Sequence, residues 1–275
     1  MPVEIARKIW DDQRGIVTNG PPSKNTVAVP TDEGYRLSGH WDFSSGISHS
    51  TWLAARAPVE GRNAELRMFL LPTADTTLLD TWHVNGLRGT GSFSFEIDDI
   101  FVPEGHTYME SDTPRDDGPL YAIPKIPLFS IGFATISVAL ARACLDDAIE
   151  LAQQKTQRAI STAMIKRSTV HRQIGESEAK LRAADQYLRG TAATLWDTAC
   201  TRKKVDMDDR VAVRMASTYA IRQASSVVDS AYEMFGSDAI FKCHLLQRRY
   251  RPDSPNLRRI VLRPHNCKVV GHELL

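Results

Sequence analysis

Two short segments carry residue types suited to ligand chemistry. In residues 37–52, LSGHWDFSSGISHSTW, a strand-like run delivers Trp41 and Phe43 on one face and then breaks at Ser44, Ser45 and Gly46. Hydroxyls and free backbone amides at a strand end suit hydrogen bonding to a flat heteroaromatic ring. In residues 82–105, Gly86, Gly89 and Gly91 permit close backbone approach or positive φ, and Arg88 suits an anion or a carboxylate. Taken alone, each segment has a plainer reading: a Ser-Gly turn between strands, and a bulged hairpin with a surface arginine. The glycine spacing is no dinucleotide fingerprint, because no helix follows it.

Other reactive residue types point to less. Asp98 and Asp99 resemble a carboxylate pair, but a turn at the strand end before Pro103 explains them better. His49 follows a turn and reads as structural. His83, His106, His171 and His244 have no metal-ligand spacing, and no metal site is expected. Cys144, Cys200, Cys243 and Cys267 lie far apart without a CxxC pair, which fits reduced thiols in a cytoplasmic protein. No Gly-x-Ser-x-Gly elbow or Cys/His pairing suggests hydrolysis.

The elements that must position these residues change character near residue 125. Before it, NTVAVP, GYRLSGHW, STWLAARAPV, LRMFLLP and SFSFEIDDIFVP read as strands separated by turn residues. A short helix, about residues 3–13, precedes them. After residue 126 the period becomes helical. Long helices are expected over about 127–155, 170–202 (with Leu181, Ala184 and Leu188 on one face) and 208–235, with Gly236 as a C-cap, and a shorter one after Pro264. The fold class is therefore α+β and multi-domain, with a β-barrel or sandwich followed by a C-terminal four-helix bundle. The expected divisions are a residual N-terminal helix at 1–14, a β-domain at 15–125 and the helical bundle at 126–275. Residues 110–120 form a polar linker or lid.

The bulk composition belongs to an ordinary globular protein: 275 residues, 42% hydrophobic, 24% charged and a net charge of +1. No strong field draws it to nucleic acid or anionic lipid. No signal peptide is visible, and the apolar stretch at 126–140 is read as a buried helix too short to span a bilayer.

In this order and spacing, GYRLSGHWDFSSG, GLRGTGS and IDDIFVPEG resemble the β-domain of the acyl-CoA dehydrogenase superfamily. The W-x-F-S-S-G and R-G-T-G-S wording is closest to its two-component flavin-dependent monooxygenases. AQQKTQRA, VHRQIGESEAKLRAADQYLRG, LQRRYRPD and VLRPHNCKVVGHELL resemble that family's C-terminal bundle, so the likeness spans nearly the whole chain.

The resemblance implies an enzyme that takes reduced FMN or FAD from a flavin reductase and oxygenates a small aromatic substrate. It places Ser45 opposite flavin N5, where a C4a-hydroperoxide is stabilised. Phe43, Ser44 and Gly46 border the ring, Thr18 and Asn19 meet it from another loop, and Arg88 belongs to the same cofactor site. Arg158, Phe235 and Gly236 reach a cofactor held mainly by a neighbouring subunit. A homo-oligomer, tetramer or dimer, is implied.

Departures from the family pattern leave alternatives open. Relatives begin with a helical domain, and this chain begins near that domain's last helix, so the expectation is that a partner or oligomer covers apolar surface including Leu120, Tyr121, Ile123 and Ile126. Arg259 stands near the position of a customary acid/base histidine; a guanidinium cannot act as that base but can stabilise an anion. His265 or His272 is a possible substitute. Val261, Leu262 and Arg263 occupy the neighbourhood of the dehydrogenases' glutamate. An acyl-CoA dehydrogenase-like oxidoreductase, or a shortened non-catalytic flavin-binding or partner subunit, are the competing readings.

Overall fold

The computed structural model describes residues 1–62, 65–84, 86–115, 117–154 and 163–236. The chain divides into two compact units, Met1–Thr113 and Pro114–Leu275.

The first unit is a sandwich of two four-stranded sheets with strand orders β1-β4-β5-β8 and β2-β3-β7-β6. The strands are β1 Val17–Gly20, β2 Val27–Thr31, β3 Gly34–Ser44, β4 Trp52–Pro58, β5 Leu66–Pro72, β6 Thr77–Leu79, β7 Phe93–Pro103 and β8 Thr107–Met109. Their alternation sorts side chains between two faces. Leu53, Ala55 and Ala57 of β4 and Phe69 and Leu71 of β5 point inward. There they meet Tyr35, Leu37 and Trp41 of β3 and Phe95, Ile97 and Val102 of β7. Ala54, Met68 and Leu70 point the other way and are covered by Ile5 and Ile9 of helix α1, Val3–Trp10.

Trp41 anchors this core. It is fully buried and lies parallel to Phe95 with ring centroids 5.2 Å apart. Its Nε1–H donates to the Arg56 carbonyl oxygen at 2.9 Å, so the indole keeps its one hydrogen bond inside the protein.

The five strands expected from sequence are β2, β3, β4, β5 and β7. β1, β6 and β8 have only four, three and three residues, too few to display an alternation. β1 pairs in parallel with β4, so Thr18 and Asn19 lie on a strand and not on a loop. A second correction concerns Asp98 and Asp99, which sit within β7 and not in a turn at its end. The β3–β7 register shifts there, between Leu37 and Gly39, and Asp99 takes φ +50°. Asp99 is held by the Arg36 guanidinium, which keeps its carboxyl below the usual range. The acidic pair marks a bulge whose Asp99 is salt-bridged.

The second unit contains three long helices among the described residues: α2 Lys125–Gln154, α3 Ser168–Arg202 and α4 Met207–Phe235. The helix expected after Pro264 lies outside them. α4 starts in a reciprocal capping box between Asp206 and Asp209 and stops at Gly236, whose φ of +55° suits glycine. Fully buried Ala134, Ala141 and Ala148 of α2 share one core with Ala220, Ala224 and Ala231 of α4; small side chains let helix backbones approach closely. Leu181, Ala184 and Leu188 of α3 join it, as their spacing requires.

α2 departs from expectation in two ways. With 30 residues it is long and apolar enough, by length and composition, to cross a membrane, so the shortness argument does not hold. Nor is it buried all round: Ile126, Phe129, Phe133 and Ile136 form an exposed stripe at helical spacing. Both faces of the helix are apolar, so hydropathy alone cannot tell the packed face from the open one. Leu120, Tyr121 and Ile126 are likewise more than half exposed, whereas Ile123 is buried with Leu195, Ala199, Val205 and Val213.

Candidate functional site

At one end of the sandwich, three segments far apart in sequence are tied together by hydroxyl groups. They are β1, the end of β3, and the turn that precedes β7. Thr18 Oγ1–H donates to the Ser45 carbonyl at 2.7 Å and lies 3.5 Å from Ser44 Oγ. Ser45 Oγ is 2.8 Å from Ser92 Oγ, and Ser92 Oγ is 2.6 Å from Thr90 Oγ1. Thr90 Oγ1–H donates to the Leu87 carbonyl at 2.9 Å. The Gly46 amide donates to the Thr90 carbonyl at 2.8 Å, fixing the β3 end to the RGTGS turn.

The backbone here is strained. Phe43 and Leu87 have φ values of +55° and +56°. Asn25 and Asp99, which share this conformation, are types that tolerate it; a bulky residue held there costs about 1–2 kcal/mol. Such strain persists where surrounding contacts over-determine it, commonly at ligand sites. At Phe43 it accompanies a register shift of β3 against β7 between Trp41 and Ser44. The result is that Trp41 points into the core while the Phe43 ring is 60% exposed, edge-on to Trp82 at 6.1 Å. Trp82 Nε1–H in turn donates to the Leu87 carbonyl at 3.1 Å.

The expected residues divide by position. Thr18, Phe43, Ser45 and Gly46 come together at this surface, and Asn19 lies exposed on the same strand as Thr18. Ser44 is fully buried, so its hydroxyl is turned inward. Arg88 opens the turn that carries Thr90, is exposed, and makes no ion pair among the described residues. Phe235 is packed in the bundle core and Gly236 ends α4. Arg158 and Arg259 lie outside the described residues, as do His265 and His272. Sequence reasoning missed Trp82, Leu87, Thr90 and Ser92 as partners in the cluster; the RGTGS wording was the one signal for Thr90 and Ser92.

A flat exposed ring, the exposed Ser45 hydroxyl and an unpaired guanidinium match the demands of a flavin: a planar heterocycle with polar edge atoms and a phosphate tail. The residues present fit that group.

Sequence reasoning also passed over His40, which sits on the outer face of the β3–β7 pair. Its Nδ1 is 3.1 Å from Glu96 Oε1 and its Nε2 is 2.9 Å from Asp42 Oδ1. A neutral imidazole donates only one proton, whereas the imidazolium satisfies both carboxylates. The Glu96 hydrogen bond raises the His40 pKa against the opposing effect of burial, and Asp42 adds to the rise. For Asp42, burial pushes the carboxyl up, but hydrogen bonds from Ser23, Ser94 and His40 outweigh it and hold it below its usual value.

The His40 contribution to stability is present in full below its ordinary pKa of about 6.5 and is lost as pH rises through the elevated value. The Asp42 contribution is present above about 3.9 and is lost as pH falls through the depressed value. The thermal midpoint of the first unit is therefore expected to decline on the alkaline side, and His40→Asn to flatten that decline. Parallel declines in the two proteins between about pH 6 and 9 would contradict this assignment.

Comparison with known proteins places the fold. Residues 131–252 match the family model of the acyl-CoA dehydrogenase C-terminal domain. The chain is 29% identical over 264 residues to a pigment production hydroxylase of Rhodococcus erythropolis, covering 90% of this chain and 67% of that one. It is 30% identical over 257 residues to the oxygenase subunit HsaA of a flavin-dependent monooxygenase of Rhodococcus jostii RHA1, covering 88% and 66%. Among solved structures, XiaF from Streptomyces sp., in complex with FADH2 and glycerol, superimposes with a TM-score of 0.87 at 24% identity, covering 98% of this chain and 71% of XiaF.

Over residues 131–252 the chain is an acyl-CoA dehydrogenase C-terminal domain.

Its fold is acyl-CoA dehydrogenase-like, with a sheet domain followed by helices; HsaA is named as the oxygenase subunit of a flavin-dependent monooxygenase, and XiaF holds FADH2. The chain spans about two thirds of the length of those curated relatives.

Proposed function

We propose that this protein is the oxygenase component of a two-component flavin-dependent monooxygenase. It takes reduced FMN or FAD from a separate reductase onto the surface formed by Thr18, Asn19, Phe43, Ser45, Gly46 and Arg88, with the buried Ser44 behind it. One atom of O2 goes to a small aromatic substrate and the other to water, with two electrons from the flavin. The observation that carries this reading is the convergence of β1, β3 and the RGTGS turn on an exposed Ser45 beside the strained Phe43. The names of the curated relatives support it.

Reduced flavin, when bound, supplies the electrons and the reactivity toward O2; the protein supplies everything else. Phe43 would offer the ring an apolar surface, Ser45 would hydrogen-bond its edge, and Arg88 would meet the phosphate. Arg158 and Gly236 are assigned to the cofactor of an adjoining subunit and Arg259 to an anionic substrate, whereas Phe235, packed in the bundle core, supports the end of α4. The exposed α2 stripe is read as contact surface in a homo-oligomer, which sedimentation would reveal as a species larger than 30.7 kDa.

The test is rapid mixing of the anaerobic complex with O2. Free reduced flavin reoxidises without delay, whereas a protein that controls oxygen chemistry makes the oxidised-flavin absorbance return after a distinct lag. Reoxidation indistinguishable from that of free flavin would remove the oxygenase reading.

A further inference from the structure

The hydroxyl cluster has a direction, because each hydroxyl owns one proton and a carbonyl owns none. Thr90 Oγ1 gives its proton to the Leu87 carbonyl, 2.9 Å away. Across the 2.6 Å contact to Thr90, the donor must therefore be Ser92. With that proton committed, Ser92 can only accept from Ser45 across their 2.8 Å contact. The Ser45 proton is thereby turned into the protein, toward the buried Ser92, and only lone pairs are left on the solvent side of the exposed Ser45.

An outward lone pair discriminates by chemistry. It pairs with an N–H and repels another lone pair. Reduced flavin carries a proton on N5, whereas oxidised flavin presents a lone pair there. We propose that Thr90 and Ser92 are positioning residues that fix Ser45 as a hydrogen-bond acceptor, so that the site selects flavin by the protonation of N5. The proposal rests on the flavin reading and adds to it the residues that set redox preference. It also explains why the RGTGS turn is tied to the end of β3 through side chains as well as through the Gly46 amide. Neither Thr90 nor Ser92 needs to touch the cofactor; both act through Ser45.

The experiment is anaerobic equilibrium dialysis of the full chain against FMN and FAD, each in reduced and oxidised form. The wild-type protein is expected to prefer the reduced form by roughly tenfold or more, the scale of one unmade hydrogen bond. Ser92→Ala removes the acceptor that holds the Ser45 proton inward. Thr90→Val lets the Ser92 proton turn toward Ser45, reversing the chain. Both are expected to collapse the reduced-to-oxidised ratio about tenfold, with improved binding of oxidised flavin as the signature. Thr90→Ser retains the hydroxyl and is expected to keep the wild-type ratio, which separates loss of the hydroxyl from general disturbance of the turn. If Ser92→Ala and Thr90→Val weaken both redox forms equally and leave the ratio unchanged, the two residues are merely structural and the proposal is overturned. If the wild-type protein binds neither form, the flavin reading itself fails and this inference falls with it, so the two failures are distinguishable.

Discussion

Replacing Trp41 with alanine is expected to destabilise the first unit by about 3–5 kcal/mol, the range for deleting a buried large aromatic side chain. The indole is fully buried, stacked on Phe95 and in one core with residues from both sheets. Its removal leaves a cavity and also strips the Arg56 carbonyl of its donor. A loss of that size is a large fraction of the stability of an ordinary domain, so much of the protein is expected to be unfolded at physiological temperature. Urea denaturation followed by tryptophan fluorescence measures it, since Trp10, Trp52 and Trp82 remain as reporters in the first unit. A loss below about 1 kcal/mol would mean that the sandwich core is not organised around this residue.

The second large effect concerns chemistry. Ser45→Ala removes the one exposed hydroxyl at the end of the Thr90–Ser92 chain and leaves the fold nearly untouched, because surface changes of this kind usually alter stability by less than about 0.5 kcal/mol. Product formed per flavin oxidised is expected to fall roughly 10- to 100-fold, equivalent to losing one well-placed hydrogen bond. Assaying product and flavin oxidation together, with a substrate found by screening small aromatic compounds, separates this from a general loss of binding. Unchanged coupling in Ser45→Ala would remove Ser45 from the chemistry.

Much of the scaffold was legible before the structure. α3 and α4 end where sequence patterns end, at Arg202 and at Phe235 before Gly236, because helix period and capping residues are local signals. β3 and β7 were legible because eleven residues each suffice to display aromatic and β-branched content. β1, β6 and β8 were not, since short strands are defined by the neighbours they pair with. The bulge at Asp98 and Asp99 was likewise hidden, because residue type alone does not distinguish a register shift inside a strand from a turn at its end.

The candidate site was half legible. Phe43, Ser45 and Gly46 could be named from the W-x-F-S-S-G wording, and the structure places them at one surface with Thr18. What sequence could not supply is the reason that Phe43 turns outward while Trp41 turns in. That depends on a left-handed residue which the type Phe argues against. Nor could it supply the order of the hydroxyls, which comes into being only when residues 18, 45, 90 and 92 meet across three segments. Of the open apolar stripe of α2 only Ile126 was expected, for a related reason: exposure is a property of what packs beside a helix, not of the helix itself.

The claim that most needs testing is that this surface holds reduced flavin. Anaerobic titration of the full chain with reduced FMN and FAD, read as quenching or enhancement of flavin fluorescence, tests it directly. Saturable binding near one flavin per chain, weakened by Phe43→Ala and by Arg88→Ala, is the predicted result. A folded chain that binds no flavin in either redox state would contradict the account.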